Sequence, residues 1–348
     1  MTLQDTLEMI KPSDKDYGAK AAARWDAIAH PLHSLGKLED AVAKLASIQK
    51  TDRVRLDKKA LVIMCSDNGV VEEGVTQTDN SVTAIVAENF LDMKTSVAVM
   101  ADKLGIDLFA YDVGMVRDTR VEKRKTAYGT ANLAKGPAMT RQQCIETIET
   151  GINIVAELKD KGYDIITTGE MGIGNTTTSS AVGAVLLGQP VEIMTGKGSG
   201  LTDEALAHKK QVIKSSIALN RPDPKDPIDV LAKEGGFDIC GLTGVFLGGA
   251  ALGIPVVIDG FISSVAALSA IRLSRNAIDY IFPSHVSKEP AGKFMLDAMG
   301  FEQFLTCDMC LGEGTGAVML IPLLECGLEV YNRMSTFEDI DIDAYIPL

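Results

Sequence analysis

Residues 168–178, which read TGEMGIGNTTT, carry the clearest chemical signal in the sequence. Gly172 and Gly174 allow the backbone to turn tightly, and Asn175 and Thr176 follow at positions where they can cap a helix. A glycine turn that leads into a helix presents free N–H groups and the positive end of the helix dipole, and both attract phosphate. We therefore predict a phosphate-binding turn here, with a purely structural strand-to-helix turn as the alternative.

Glu170 lies in the same segment and argues against simple phosphate binding, because a carboxylate repels phosphate. Its oxygens suit ribose hydroxyls, which donate hydrogen bonds. The segment matches neither the GxxxxGK[ST] pattern of P-loop NTPases nor the GxGxxG pattern of dinucleotide-binding folds. An NTPase and a conventional dinucleotide-dependent dehydrogenase are thus both disfavoured.

Residues 196–200, GKGSG, form a second glycine-rich loop with Gly198 at its centre. The helix-like stretch after this loop carries Lys209, which can reach a phosphate as a point charge. A lone lysine more often lies on a solvated helix face, and this is the alternative for Lys209.

Residues 311–317, LGEGTGA, place Glu313 between glycines and in front of an apolar stretch, residues 318–324. A carboxylate in such surroundings loses hydration, which raises its pKa and makes it a stronger proton acceptor. We predict that Glu313 is a general base. The alternative is a glutamate on an exposed, flexible loop.

Other familiar catalytic and metal-binding patterns are weak or absent. Cys307 and Cys310 form a single CxxC motif, but the remaining cysteines and the histidines show no paired spacing that would complete a zinc site. The GxSxG motif of serine hydrolases does not occur. We expect neither a metal nor another cofactor.

The amino-acid composition disfavours several kinds of protein and several kinds of binding partner. The 348 residues are 46% hydrophobic and 23% charged, which is typical of globular proteins. With 34 basic and 47 acidic residues the net charge is −13, which disfavours binding to nucleic acid or to an anionic membrane. The six cysteines favour reduced thiols, and neither a membrane span nor a signal peptide is apparent. We expect a cytoplasmic protein that acts on small molecules.

The elements that must position these residues follow from the hydrophobic pattern. Short apolar runs, each followed by a polar or glycine-rich loop, alternate with helix-compatible stretches, and this alternation predicts an α/β fold with a doubly wound, mostly parallel, Rossmann-like sheet. We expect a large nucleotide-binding catalytic domain over residues 55–320 and a small helical lobe from residues 1–54 and 321–348. The predicted strands are 61–65, 108–111, 165–168, 256–258 and 280–282, and the predicted helices between them include 81–104, 142–160, 203–219 and 262–274.

The ligand of an open α/β sheet lies beyond the carboxyl ends of its strands. The residues that follow the predicted strands include Asp67, Asp112, Glu170, Asp259 and the pair Ser284-His285. Acids and glycines at one edge suit a ligand with hydroxyls and a phosphate. The alternative is that turns select Asp and Gly for backbone reasons alone.

Together these segments resemble the nicotinate-nucleotide–dimethylbenzimidazole phosphoribosyltransferase family over nearly the whole chain. GEMGIGNTT and LGEGTGA are the most specific motifs of this resemblance. The matching segments are 25–39 (WDAIAHPLHSLGKLE), 67–76 (DNGVVEEGVT), 169–177 (GEMGIGNTT), 196–209 (GKGSGLTDEALAHK), 259–268 (DGFISSVAAL), 284–290 (SHVSKEP), 311–317 (LGEGTGA) and 335–338 (STFE).

The resemblance implies transfer of 5-phosphoribosyl from nicotinate mononucleotide to an aromatic base in cobamide biosynthesis. The products would be nicotinate and the α-riboside 5′-phosphate, with inversion at C1′. It also implies that Glu313 removes the proton from the nucleophile and that Glu170 and Gly260 lie near the ribose. The residues implied to hold the phosphate are Gly172, Gly174, Lys209 and Ser287, and those implied to complete the substrate site are Asn175, Thr176, Gly198, Asp259 and Leu311.

One departure from the family pattern concerns the base that is accepted. Ile85 stands where some members carry a glutamine near the base pocket, and Cys310 stands where arginine is common. A more apolar pocket suits a phenolic base as well as dimethylbenzimidazole, and a branch of the family that pairs two paralogous subunits accepts phenols. We therefore expect a homodimer or a heterodimer with a paralogous subunit.

Two further functions stay open at this point. The chain could be a non-catalytic paralogue that binds nucleotide and supports a catalytic partner, or another nucleotide glycosyltransferase or phosphorylase on the same scaffold. Glu313 and Glu170 argue against the first of these, because a purely structural subunit needs neither carboxylate.

Overall fold

A single six-stranded sheet organises the chain in the computed structural model, which describes residues 1–198 and 200–345. Its strand order is β3-β2-β1-β4-β5-β6, and every neighbouring pair is parallel. The order reverses between β1 and β4, as in Rossmann folds, and the predicted doubly wound α/β class is confirmed. The strands are β1 (Lys59–Ser66), β2 (Asp107–Gly114), β3 (Glu122–Lys123), β4 (Ile165–Met171), β5 (Val256–Ile258) and β6 (Ile281–Pro283).

Helices cover both faces of the sheet. The α-helices are α1 (Leu3–Met9), α2 (Lys15–Ala27), α3 (Lys37–Gln49), α4 (Ser81–Leu91), α5 (Ser96–Lys103), α6 (Arg141–Asp160), α7 (Asn175–Leu187), α8 (Val191–Met194), α9 (Asp203–Asn220), α10 (Pro227–Glu234), α11 (Phe237–Leu252), α12 (Phe261–Leu273), α13 (Pro290–Met299) and α14 (Thr315–Arg333). Short 3₁₀ helices span Gly69–Glu73, Arg275–Tyr280 and Glu338–Ile340. Among the described residues, no helix has both the length and the apolar character that crossing a membrane requires.

The central strands form because their sequences can be buried on both faces. β4 is buried along its whole length, and β1 is buried after its first residue. Such continuous apolar runs are typical of parallel strands between two helical layers. The predicted single helix over residues 81–104 is in fact two helices, α4 and α5, because Met93 adopts a left-handed backbone conformation (φ 55°) between them.

Helices from the two ends of the chain pack together. α3 contacts both α2 and α14, and the ring of Trp25 lies 5.3 Å from the ring of Tyr331. The hydrophobic core is continuous from these helices into the sheet, and α14 crosses the predicted boundary at residue 320. The division into a large domain and a small lobe stays a prediction.

Candidate active site

A cavity of about 940 Å³ opens at the carboxyl ends of the strands, beside the point where the strand order reverses. The residues that the sequence assigns to catalysis or substrate binding all line it, except Ile85. These lining residues are Glu170, Gly172, Gly174, Asn175, Thr176, Gly198, Lys209, Asp259, Gly260, Ser287, Leu311 and Glu313. Of the other strand-end residues, His285 lines the cavity and Asp67, Asp112 and Ser284 do not.

Ile85 lies on α4 outside the cavity lining, and its side chain is 57% exposed. Val82 and Val86 of the same helix line the cavity instead, because residues four positions apart share one face of a helix. Val82, Val86 and Met100 supply the apolar wall of the cavity on this side, and the assignment of Ile85 to the base pocket stays a prediction.

Glu313 lies on a loop of unusual backbone geometry. It adopts a left-handed conformation (φ 62°), and so do its neighbours Gly312 (φ 86°) and Gly314 (φ 99°). For a residue with a side chain this conformation is strained, and strain of this kind is concentrated at functional sites. The side-chain oxygen Oε2 of Glu313 is buried, with no hydrogen-bond partner in the described part of the chain. Burial raises the pKa of Glu313, and the charge of Asp259 raises it further.

Asp259 follows β5 and holds this loop in place. Its Oδ2 accepts a hydrogen bond from the backbone N–H of Gly314 (3.1 Å). Its Oδ1 accepts bonds from the N–H groups of Gly316 (2.7 Å) and Ala317 (3.1 Å), in the first turn of α14. Asp259 thus caps α14 from a distant element, and this geometry favours a role in positioning Glu313.

Two carboxyl groups share the amide of Asn175, which lines the cavity together with Glu170. The Nδ2 atom of Asn175 donates hydrogen bonds to Oε2 of Glu170 and to Oδ2 of Asp238, the latter at 3.0 Å. Burial raises the pKa of Glu170 to about 8, and the charges of Asp238 and Asp259 contribute to this shift. Burial also raises the pKa of Asp238 to about 6, although hydrogen bonds from Asn175 and from the backbone of Ile239 oppose it.

Sequence reasoning missed Asp238, which is fully buried and does not line the cavity. The available signal was local: Gly235-Gly236-Phe237-Asp238 stands before an apolar stretch, and an acid in the first turn of a helix is favourable. That signal does not reveal which side chain the carboxylate faces.

The other end of the cavity is suited to an anion. α7 begins after Gly174, which has a left-handed conformation (φ 91°) and contributes no side-chain cap. Lys209 of α9 is buried, and its Nζ atom donates to Oγ1 of Thr176 at 2.8 Å, in the first turn of α7. Burial lowers the pKa of Lys209 to about 8, and the charge of Glu289 partly opposes this shift. A phosphate here would meet both the helix N-terminus and a cation.

A third group of residues flanks the cavity after β5 and β6. A Cβ atom placed on Gly260 would lie 3.7 Å from both Ser287 Cβ and His285 Cε1. Burial lowers the pKa of His285, against the charge of Asp259. Leu311 is 55% exposed at the mouth of the cavity.

Comparison with known proteins is consistent with this geometry. A phosphoribosyltransferase family model matches residues 10–342. The chain is 49% identical over 348 residues to the nicotinate-nucleotide–dimethylbenzimidazole phosphoribosyltransferase of Acetivibrio thermocellus, covering 99% of both chains, and 48% identical over 351 residues to that of Ruminiclostridium cellulolyticum, covering 100% of both. The crystal structure of CobT from Thermus thermophilus is similar with a TM-score of 0.90 at 35% identity, and the match covers 95% of this chain and 100% of that one.

Proposed function

The chain belongs to the nicotinate-nucleotide–dimethylbenzimidazole phosphoribosyltransferase family, and from this premise we propose that it transfers 5-phosphoribosyl from nicotinate mononucleotide to an aromatic base. The products are nicotinate and the α-riboside 5′-phosphate that serves in cobamide biosynthesis. One observation carries the proposal: a single cavity joins an anion-binding helix N-terminus with a buried lysine to a carboxylate oxygen that has no partner among the described residues.

The nucleotide is held at its phosphate. The first turn of α7 supplies backbone N–H groups, and Lys209 supplies the positive charge. Ser287 and Gly260 lie side by side in the lining of the cavity, where the absence of a side chain on Gly260 leaves room for the sugar. Fixing the phosphate and the sugar places C1′ in one position relative to Glu313, and positioning of this kind supplies much of the rate.

Glu313 removes the proton from the incoming base. An azole attacks C1′ through its unprotonated ring nitrogen while the proton of its N–H group passes to Glu313, and a phenol attacks through its oxygen as the O–H proton passes to Glu313. The bond from C1′ to the pyridinium nitrogen breaks, and its electron pair returns to that nitrogen. Nicotinate therefore leaves without needing a proton, and no general acid is required. Positive charge that develops on the ribose is stabilised by those acidic groups at the strand ends that are ionised.

The test of this assignment is the variant Glu313→Gln. Without a proton acceptor, turnover should fall by about 10³-fold, whereas binding of nicotinate mononucleotide should change by no more than a few fold. Chromatography of released nicotinate and isothermal titration calorimetry measure the two quantities. Glu329→Gln is the matched control, because Glu329 lies on α14 but pairs with Arg333 at the surface. Absence of turnover by the folded wild-type chain with nicotinate mononucleotide and dimethylbenzimidazole would contradict the proposed function.

The proposal also concerns which aromatic bases the enzyme accepts. The relatives are named for dimethylbenzimidazole, and the wall formed by Val82, Val86 and Met100 offers no hydrogen-bond donor to a second ring nitrogen. We therefore propose that phenols are accepted as well. Val86→Gln should raise the ratio of benzimidazole to phenol turnover several fold, because it places a donor in the cavity. Ile85→Gln is the control with the same new side chain outside the cavity.

The proposal also includes the oligomeric state of the protein and its cellular compartment. The chain forms a homodimer in the cytoplasm, which light scattering after gel filtration and cell fractionation would test. The cytoplasmic assignment is supported by the low cysteine content, six cysteines in 348 residues, which is typical of proteins in a reducing compartment. Co-purification of a paralogous chain would favour a heterodimer instead.

A further inference from the structure

Asp238 does not line the cavity, and it is hydrogen-bonded to the predicted site through the side chain of Asn175. The amide nitrogen of Asn175 has two hydrogens, and the two carboxyl groups of Glu170 and Asp238 each accept one. The orientation of the amide is therefore fixed from both sides. This arrangement holds Oε2 of Glu170 and leaves Oε1 on the side of the catalytic loop, 3.5 Å from the backbone nitrogen of Glu313.

The position of Asp238 is itself tightly determined. It lies in the first turn of α11, and its Oδ1 accepts a hydrogen bond from the N–H of Ile239 at 3.0 Å. A Cβ atom on Gly172 would come within 2.8 Å of its Oδ2, so the glycine turn before α7 packs directly on this carboxylate. The side chain is fully buried.

We propose that Asp238 is a positioning residue that acts on Glu170 through the amide of Asn175. The inference rests on the proposed function, because it assigns the group that sets how Glu170 meets the ribose. Removing Asp238 would free the amide to rotate, and Glu170 would lose its fixed orientation although no atom in contact with substrate had changed.

The same geometry decides which of the two carboxyl groups holds a proton. Two carboxylates that share a buried donor cannot both ionise readily. The N-terminus of α11 and the N–H of Ile239 favour the charge on Asp238, so the proton resides on Glu170 at neutral pH. Oε2 of Glu170 accepts a hydrogen bond from Asn175, whereas Oε1 accepts only a long one, at 3.5 Å, from the N–H of Glu313. The proton therefore lies on the more weakly bonded Oε1, and Glu170 meets a ribose oxygen as a hydrogen-bond donor.

The charged and titratable groups around this pair come from every neighbouring strand end. Asp67 follows β1 and faces Asp238, while Asp259 follows β5 and faces Glu170. The thiol of Cys65 on β1 is fully buried and neutral, because burial and these carboxylates raise its pKa. Among the described residues, no lysine or arginine forms an ion pair with Glu170 or Asp238. The surroundings therefore disfavour a second negative charge.

The experiment is a ¹³C NMR titration of the side-chain carboxyl groups in the full-length protein, with Glu170→Gln to assign the signal of Glu170. In Asp238→Asn, the titration midpoint of Glu170 should fall by about one pH unit, because a like charge has gone. The corresponding limb of the kcat–pH profile should shift with it, while the affinity for nicotinate mononucleotide changes little. Asp112→Asn is the matched control: it is a buried carboxylate at the end of β2 that pairs with Lys125 and lies outside the cavity.

An unchanged midpoint in folded Asp238→Asn would overturn the proposal, as would a shift of equal size in Asp112→Asn. If Asp238→Asn does not fold, Asn175→Ser tests the same link, because losing the donated hydrogen bond should raise the midpoint of Glu170; an unchanged midpoint there would also overturn it. The titration needs no turnover. If the proposed function is wrong, the wild-type chain is inactive. If only this inference is wrong, the enzyme is active but the titration midpoint of Glu170 does not depend on Asp238.

Discussion

Asp259→Asn separates the positioning of the catalytic loop from the stability of the fold. The wild-type carboxylate accepts three backbone hydrogen bonds, from Gly314, Gly316 and Ala317, at 2.7–3.1 Å. An asparagine oriented to keep its oxygen on Gly316 and Ala317 turns its NH₂ group towards the N–H of Gly314, and two donors then face each other. The bond lost is the one next to Glu313.

The expected loss of stability is small, because two effects oppose each other. Losing a charge-assisted hydrogen bond and leaving a buried N–H unpaired costs about 2–3 kcal/mol. However, burial raises the pKa of Asp259, so its ionised form carries a desolvation cost that asparagine removes. We expect the free energy of unfolding to fall by about 1–2 kcal/mol in total.

The expected loss of activity is much larger. Glu313 is held in a strained left-handed conformation by its neighbours, and a displacement of about 1 Å at a reacting group costs about 100-fold in rate. Turnover should therefore fall by about 100-fold at a temperature where the variant is folded. Binding of nicotinate mononucleotide should persist, because Lys209 and the first turn of α7 are unchanged.

Urea denaturation and steady-state kinetics measure the two effects, and Asp226→Asn is the matched control. Asp226 caps α10 with the same chemistry, accepting from the N–H groups of Ile228 and Asp229, but it lies away from the cavity. The control should lose about 1 kcal/mol of stability and keep full activity. Turnover within threefold of wild type in folded Asp259→Asn would refute the reasoning.

Three further predictions follow from individual residues. Burial lowers the pKa of Lys209 to about 8, and only the charged lysine pairs with phosphate. The affinity for nicotinate mononucleotide, measured by calorimetry, should therefore weaken about tenfold per pH unit above about 8. Lys209→Met should remove this pH dependence. Gly169→Ala should lower kcat at least about tenfold with binding intact in calorimetry, since its Cβ would overlap the backbone carbonyl of Glu313. Burial raises the pKa of Glu234 from 4.5 to about 7, so the folded state holds this proton more tightly than the unfolded state does. The free energy of unfolding should therefore fall by about 3 kcal/mol as the pH rises across this interval. Chemical denaturation of Glu234→Gln should show no such fall. An affinity that does not change with pH would contradict the first of these predictions, and a fully active Gly169→Ala would contradict the second. The third is wrong if the free energy of unfolding of Glu234→Gln depends on pH as that of the wild type does.

Much of the fold could be predicted because its signals are local. The strands β1 and β4 are continuous buried runs, and each is followed by a loop that its own residues specify. The glycine turn before α7 and the LGEGTGA loop before α14 could be assigned for the same reason, since left-handed conformations at Gly174 and Gly314 are accessible to glycine without strain. The carboxyl ends of parallel strands then meet at one edge, which brings these loops together.

The sequence is less informative where the lining of the cavity depends on which way a helix faces. Ile85 and Val86 are adjacent and equally apolar, yet only Val86 lines the cavity. The rotation of α4 about its axis is set by its packing against the sheet, and the sequence of the helix alone does not specify it to within one residue.

The sequence by itself determined the fold class and the glycine turns, because backbone preference belongs to short segments, and the roles of Glu313 and Lys209 stay predictions from the same local signals. Only the tertiary structure decided that both oxygens of Asp259 are used by the loop of Glu313, 55 or more residues further along the chain. It also decided that Asn175 joins Glu170 to Asp238. Hydrogen bonds between distant segments depend on distances and angles that exist only after the helices have packed against the sheet, and no local pattern encodes them.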